Sequence, residues 1–291
     1  MSEVASTVTG PVQKPLRVQW IHGSKSSKHN TDPDLQTYWY DDDTVILRQN
    51  KAVDYEAPFM FLLFGRERAT LLDTGATAAE QHFPIRAVVD ELVESWLHRH
   101  GQATDGYELL VLHTHSHADH VAGDAQFIDR PDTTLVAADR ASAWDFYGLS
   151  DNVDATATID LGGRVLEVLA TPGHDDAAVT FYDGQTGILF TGDTVYRGRL
   201  YIVDWPAFTR SVDRLVDFCQ SHPVVHVIGC HIEMTTVPGV DYPRLTTYQP
   251  DEPPLEMAVE HLRAVQTALR DAGPDPVRYV CDDFILWPKD A

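Results

Sequence analysis

The sequence predicts a mixed α/β (α+β) fold, and three observations carry that reading. Short runs of leucine, aromatic and β-branched residues occur in both halves of the chain. Segments with helical spacing lie between them. The residues richest in chemistry fall at the C-terminal ends of the strand-like runs, where α/β and α+β folds gather loops on one edge of their sheets.

Residues 44–48 (TVILR), 59–64 (FMFLLF) and 69–73 (ATLLD) read as strands, the last ending at a Thr-Gly turn. Residues 84–98 have helical spacing, with Ile85, Val88, Val89, Leu92 and Trp96 on one face. Pro84 suits the first turn of that helix and Gly101 its stop. Residues 108–113 (ELLVLH) form a buried-type strand that runs into a histidine-rich loop. A short strand at 134–137 and a helix at 141–147 follow. Strand pairs 157–161/164–170 and 179–182/187–191 flank Gly162-Gly163 and Asp183-Gly184, two hairpin signals. A helix at 206–221, a strand at 224–229, a helix at 255–271 and a strand at 277–286 complete the chain. No linker or repeat divides it, so residues 16–291 are expected to form one domain behind a flexible tail, residues 1–15.

Acidic residues outnumber basic ones by 44 to 22, a formal charge of -22. Such a surface repels nucleic-acid phosphate and anionic lipid, which argues against a nuclease or a membrane-surface protein and leaves a small-molecule substrate as the expected partner. The three cysteines, Cys219, Cys230 and Cys281, are odd in number and make no CxxC pair, so no disulfide framework is expected. The N-terminus has Glu3 where a signal peptide is basic, and it lacks an apolar stretch. A cytoplasmic location is the expectation.

The densest chemistry lies in HTHSHADH, residues 113–120. Within it, His115 and His117 alternate and are placed to grip one ion, while Asp119 and His120 turn toward a neighbouring position. Imidazole and carboxylate are the ligands of catalytic Zn²⁺ sites, and iron or manganese accept the same set. Three further motifs follow strands: Thr171-Pro172-Gly173-His174, whose Pro-Gly turn aims His174 inward; Thr191-Gly192-Asp193-Thr194, whose carboxylate has two oxygens to bridge two cations; and Gly229-Cys230-His231. His113 reads as a buried hydrogen-bonded residue, Cys230 as a small core residue, and Glu233 as a candidate for orienting a ligand. The proline-rich stretch 238–256 is long enough to be a functional wall, with Tyr242, Tyr248 and Trp205 as candidate lining residues.

Together with LLDTG at residues 71–75, these motifs resemble the five motifs of the metallo-β-lactamase superfamily. The resemblance implies an αββα sandwich: two mixed sheets face to face, with helices on the outer faces. It implies that His115, His117 and His174 hold one metal, that Asp119, His120 and His231 hold the other, and that Asp193 bridges them. Asp73 is then expected to brace the histidine loop rather than bind metal. The implied activity is that of a dinuclear zinc hydrolase, using a hydroxide shared by two Zn²⁺ to cleave a small ester, thioester or lactone. Asp119 would orient the water or pass a proton to the leaving group. Tyr196 matches a tyrosine that, in lactonases of the superfamily, hydrogen-bonds the substrate carbonyl. True β-lactamase activity is disfavoured, because zinc β-lactamases lack the bridging aspartate. Close likeness to glyoxalase II is disfavoured by an acidic C-terminus. The alternatives are a mononuclear iron enzyme like the persulfide dioxygenases and a non-catalytic metal-binding protein.

Overall fold

The computed structural model describes residues 15–289 except Asp105 and Asp151, so the expected tail lies, up to residue 14, outside the described residues. Six strands form one sheet in chain order: β1 (Leu35–Asp41), β2 (Thr44–Gln49), β3 (Phe59–Phe64), β4 (Arg68–Leu72), β5 (Glu108–Leu112) and β6 (Thr133–Leu135). The first four pair antiparallel; β5 and β6 add in parallel. Helices α1 (Ile85–His100), α2 (Ala118–Val121) and α3 (Arg140–Tyr147) interrupt this half. The second half holds β7 (Thr156–Asp160), β8 (Val165–Ala170), β9 (Val179–Asp183), β10 (Ile188–Gly192), β11 (Arg199–Ile202), α4 (Trp205–Ser221), β12 (His226–Gly229), α5 (Val259–Ala272), β13 (Tyr279–Val280) and β14 (Ile285–Pro288). Its five-stranded sheet has the order β12-β10-β9-β8-β7, with β12 parallel to β10 and the rest antiparallel.

The period-2 alternation of strand side chains explains the layering. In β3, Phe59, Phe61 and Leu63 join a core with Val168, Phe181, Ile188 and Phe190 of the second sheet. Met60, Leu62 and Phe64 point the other way and pack with Ile85, Val89, Val93 and Trp96 of α1. In the second sheet Leu189 and Val227 face outward onto Phe208, Val212 and Leu215 of α4 and Leu262 and Val265 of α5. Both sheets are thus covered on two faces, which is why their strands are continuous apolar runs rather than alternating ones. This is an αββα sandwich.

Arg164 fastens the two sheets at one edge. Its guanidinium forks onto Asp183 of β9 (Nη2–Oδ2 2.6 Å, Nε–Oδ1 3.2 Å) and also donates to Asp43 O, Phe64 O and Thr44 Oγ1 of the first sheet. Both hairpin signals hold: β7 pairs with β8 across Gly162 and Gly163, each with φ near +90°, and β9 pairs with β10.

The structure differs from the sequence reading in several elements. A half-exposed edge strand, β1, precedes the first expected one. The four-residue β11 pairs with the distant β14 in a third, small sheet of order β11-β14-β13. The strand expected over 277–286 is two strands, because the chain turns back at Asp282 and Asp283 and Cys281 N donates to Phe284 O. The last helix starts at Val259 and not at residue 255, since Met257 exchanges backbone hydrogen bonds with Val227 and is held in an extended bridge. The three cysteines are free thiols, and no helix among the described residues is long and apolar enough to cross a membrane.

Candidate metal centre

Every motif residue sits where a strand gives way to a loop on one edge of the sandwich: Asp73 after β4, residues 113–120 after β5, His174 after β8, Asp193 after β10 and His231 after β12. Local backbone details set their aim. Gly173 adopts φ +141°, and a Cβ there would meet Phe208 Cα at 2.4 Å, so only glycine lets the chain pass α4 this closely. Gly173 O in turn accepts the N–H groups of Val203 and Asp204, at 2.8 and 2.9 Å. The sequence reading pictured residues 115–120 as a tight loop. The structure instead opens the one-turn helix α2 at Ala118, which rotates Asp119 and His120 away from His115 and His117.

Two groups of side chains result. His115 Nε2 and His174 Nε2 lie 3.0 and 2.9 Å from His117 Nδ1. Asp119, His120, Asp193 and His231 form the second group, and within each group the donor atoms all lie within 4.8 Å of one another. Asp119 Oδ2 is 3.3 Å from His120 Nε2 and 3.2 Å from His231 Nε2. Asp193 stands between the groups. Its Oδ1 is 3.6 Å from His120 Nε2 and 3.5 Å from His231 Nε2, whereas its Oδ2 is 3.8 Å from His174 Nε2.

The outward nitrogens of four imidazoles are each anchored. His120 Nδ1 meets Asp73 Oδ2 at 2.9 Å, His174 Nδ1 meets Tyr201 O at 2.7 Å, His231 Nδ1 meets Glu56 O at 3.2 Å, and His115 Nδ1 meets Thr114 Oγ1 at 3.1 Å. Such contacts select the tautomer, so that each ring, once neutral, has its lone pair on the inward nitrogen. Asp73 does more: it takes Thr114 N and Oγ1, both at 2.8 Å, and carries a left-handed φ of +66°.

The donor set fits a pair of cations. Three imidazole nitrogens converging at hydrogen-bond distance have more lone pairs than protons to share, and Asp193 Oδ1 is buried without a hydrogen-bond partner. The electrostatics agree. Burial, with the nearby His120, drives His115 well below the ordinary histidine value, and burial also lowers His174, which favours the neutral ring in both. Burial alone would raise the carboxyls of Asp119 and Asp193, but the facing His120 and His231 hold both far below the ordinary range. Burial likewise opposes charge on His231, yet Asp193 and Asp119 lift it to about 9. The carboxylates that draw protons to that corner would draw a metal ion equally well.

A cavity of about 350 Å³ opens over Asp119, Asp193, His117, His174 and His231, with Tyr201, Val203, Arg244, Trp287 and Lys289 among its walls. Tyr196 also lines it, but its hydroxyl donates to Arg199 O and lies 3.2 Å from Glu233, so the phenol proton is already committed. Burial and Glu233 push that phenol well above the ordinary tyrosine value. Glu233 holds Arg199 through its backbone N and Nη1, at 2.7 and 2.8 Å. His113 is buried 3.3 Å from Asp124 and stays outside both groups, but neither of its ring nitrogens makes the hydrogen bond expected of it. Cys230 is buried with its thiol 3.5 Å from Asp73; burial pushes that thiol up, so it stays protonated. The stretch 238–256 does supply a wall, but through Arg244, Leu245, Thr246 and Gln249. Trp205, Tyr242 and Tyr248 lie elsewhere: Trp205 Nε1 donates to Gly273 O, Tyr242 accepts Asp251 N, and Tyr248 pairs with Gly23.

Sequence reasoning missed the Glu56 and Tyr201 carbonyls, which are backbone groups and leave no side-chain signal. It also missed Asp175, 3.7 Å from His117 Nε2 and bonded to Ser116 at 2.8 Å. Its position beside His174 was the available clue.

Comparison with known proteins gives the family. Residues 54–281 match the family model described as metallo-beta-lactamase superfamily. A hydroxyacylglutathione hydrolase of Synechococcus sp. (strain JA-3-3Ab) is 32% identical over 243 residues, 80% of this chain and 86% of that protein. Another, from Chelativorans sp. (strain BNC1), is 30% identical over 55% of this chain; the match spans 62% of that protein's length. An acyl-coenzyme A thioesterase, MBLAC2 of Bos taurus, is 29% identical over 59% of this chain and 72% of that protein. The solved DIM-1 metallo-beta-lactamase superposes with a TM-score of 0.55 at 16% identity over 84% of this chain and all of that one, which shows the fold alone. The chain belongs to the metallo-beta-lactamase superfamily. The similarity to hydroxyacylglutathione hydrolases (glyoxalase II) is greater than the sequence reading expects.

Proposed function

We propose that the protein is a dinuclear zinc hydrolase of small esters, with thioesters as the favoured class. One observation carries the dinuclear reading: Asp193 lies between the two ligand groups with one oxygen toward each. His115, His117 and His174 would hold one ion, and Asp119, His120 and His231 the other. Ions bound there would supply Lewis-acid polarisation of a carbonyl and acidify water near neutral pH. The names of the relatives, thioester hydrolases in both cases, favour a sulfur leaving group. A single-iron reading leaves the group around Asp119 and His231 without a role.

The chain's own residues do the remaining work. Asp119 Oδ2 faces His120 and His231, which leaves Oδ1 to orient the attacking water and carry its proton toward the departing group. Asp73 fixes the His120 ring. Tyr196 presents its ring as a wall beside His231, 5.7 Å between centroids, and hands the polar contact to Arg199 and Glu233. We place no nucleic acid or membrane lipid among its partners, given the charge of -22.

The test is a panel of acyl-glutathione, acyl-coenzyme A, aryl ester and lactone substrates with zinc-loaded protein. Thioester hydrolysis is expected to vanish after chelation and return with added Zn²⁺. Turnover that survives metal removal, or no turnover of any class, would contradict the reading.

A further inference from the structure

A second cavity, of about 90 Å³, adjoins the first and shares Glu56, Tyr201, His231, Glu233 and Arg244 with it. Its distinctive lining residue is Lys51, which follows β2. Lys51 is only 4% exposed, and its Nζ donates to Tyr55 O at 3.0 Å. Among the described residues no carboxylate lies within 4.0 Å of that ammonium. The nearby Glu252 is engaged by Arg48 in a two-pronged contact of 2.5 and 2.6 Å, and Glu233 is held by Arg199. A buried ammonium without a counter-ion is costly, so one aimed into a cavity marks a place where an anion repays the cost.

The same cavity carries matching groups. Arg244 reaches it from the 238–256 stretch, exposed and without a carboxylate partner among the described residues, its guanidinium 5.9 Å from the Tyr201 ring centre. Gln249 is 4% exposed, and its Oε1 has no hydrogen-bond partner. Its carboxamide can present NH₂ by rotation. Glu56 and Glu233 are the opposing charges in this lining, and Glu233 is already tied to Arg199.

We propose that this side cavity is a subsite for a carboxylate borne by the substrate, held between Lys51 and Arg244, so that the preferred substrate is an anionic thioester. The inference rests on the hydrolase reading above, since the subsite matters through its junction with the metal centre. Burial, together with Arg48, lowers the Lys51 amine to about 8, and Glu252, Glu233 and Glu56 pull the other way. The protonated amine holds the anion, so the preference is present below that pH and fades as pH rises past it; a bound anion moves the midpoint upward.

The experiment compares acyl thioesters of mercapto-carboxylic acids with their neutral amides, using zinc-loaded wild type, Lys51→Met and Arg244→Gln. Alongside it, thermal melting is recorded with and without glutarate at millimolar concentration. Wild type is expected to favour the anionic member by about ten- to a hundredfold in kcat/KM, mainly through KM, as for a hydrogen bond to a charged group. The ratio is expected to fall toward one in Lys51→Met and partly in Arg244→Gln, whose exposed site leaves folding intact. Glutarate is expected to raise the wild-type Tm and not that of Lys51→Met. Equal rates on the two wild-type substrates with no glutarate effect would overturn the subsite and leave the hydrolase reading standing. No hydrolysis of either, with a Lys51-dependent glutarate effect, would overturn the hydrolase reading and keep the subsite.

Discussion

Replacing Asp193 with alanine is expected to lower hydrolysis by more than about a hundredfold, since residues that only orient a metal ligand typically cost ten- to a hundredfold. Among the described residues, the carboxylate is the one group that faces His120, His231 and His174 together. Without it the two ligand groups face each other across an uncompensated gap, and the bound metal per chain is expected to drop below two. Asp73→Asn provides the graded comparison. It weakens the grip on His120 and Thr114 but removes no inward donor, so a loss of about ten- to a hundredfold is expected, with the metal count closer to wild type. Kinetics and metal content measured on both variants check the pair. Equal metal and activity in Asp193→Ala and wild type would contradict the bridging assignment.

The second large effect is on stability. Arg164→Leu is expected to destabilise the fold by about 3–5 kcal/mol, the usual cost of removing one partner from a buried ion pair. Asp183 would be left fully buried, and Asp43 O and Phe64 O would lose a donor. For a domain of this size that corresponds to a Tm lower by about 5–15 °C. A double variant with Asp183 also made apolar is expected to recover part of the loss, because no unpaired charge then remains. Thermal melts of the three proteins measure it. An unchanged Tm in Arg164→Leu would show that the two sheets are held by apolar packing alone.

Much of the sandwich was legible because buried strands are written as continuous apolar runs. FMFLLF and the two hairpins marked by Gly162-Gly163 and Asp183-Gly184 fall where they were expected. What escaped lacked that signature. β1 is a half-exposed edge, and β11 is four residues whose partner lies far along the chain, so local pattern carries little of either. At the site, the gathering of the seven candidate ligands was legible because their residue types are restricted and because their motifs each follow a strand. Their supports were not: a carbonyl such as Glu56 O or Tyr201 O can be supplied by any residue. Tyr196 shows the complementary failure. Its proximity was readable, yet its hydroxyl is spoken for by Arg199 O, a contact fixed by tertiary packing. Lys51 gave no signal at all, since only the folded chain shows that it is buried.

Elemental mass spectrometry on protein purified without chelator is expected to find close to two zinc ions per chain, and fewer in Asp193→Ala; a single iron per chain, or none of any metal after zinc is supplied, would rule out the metal pair.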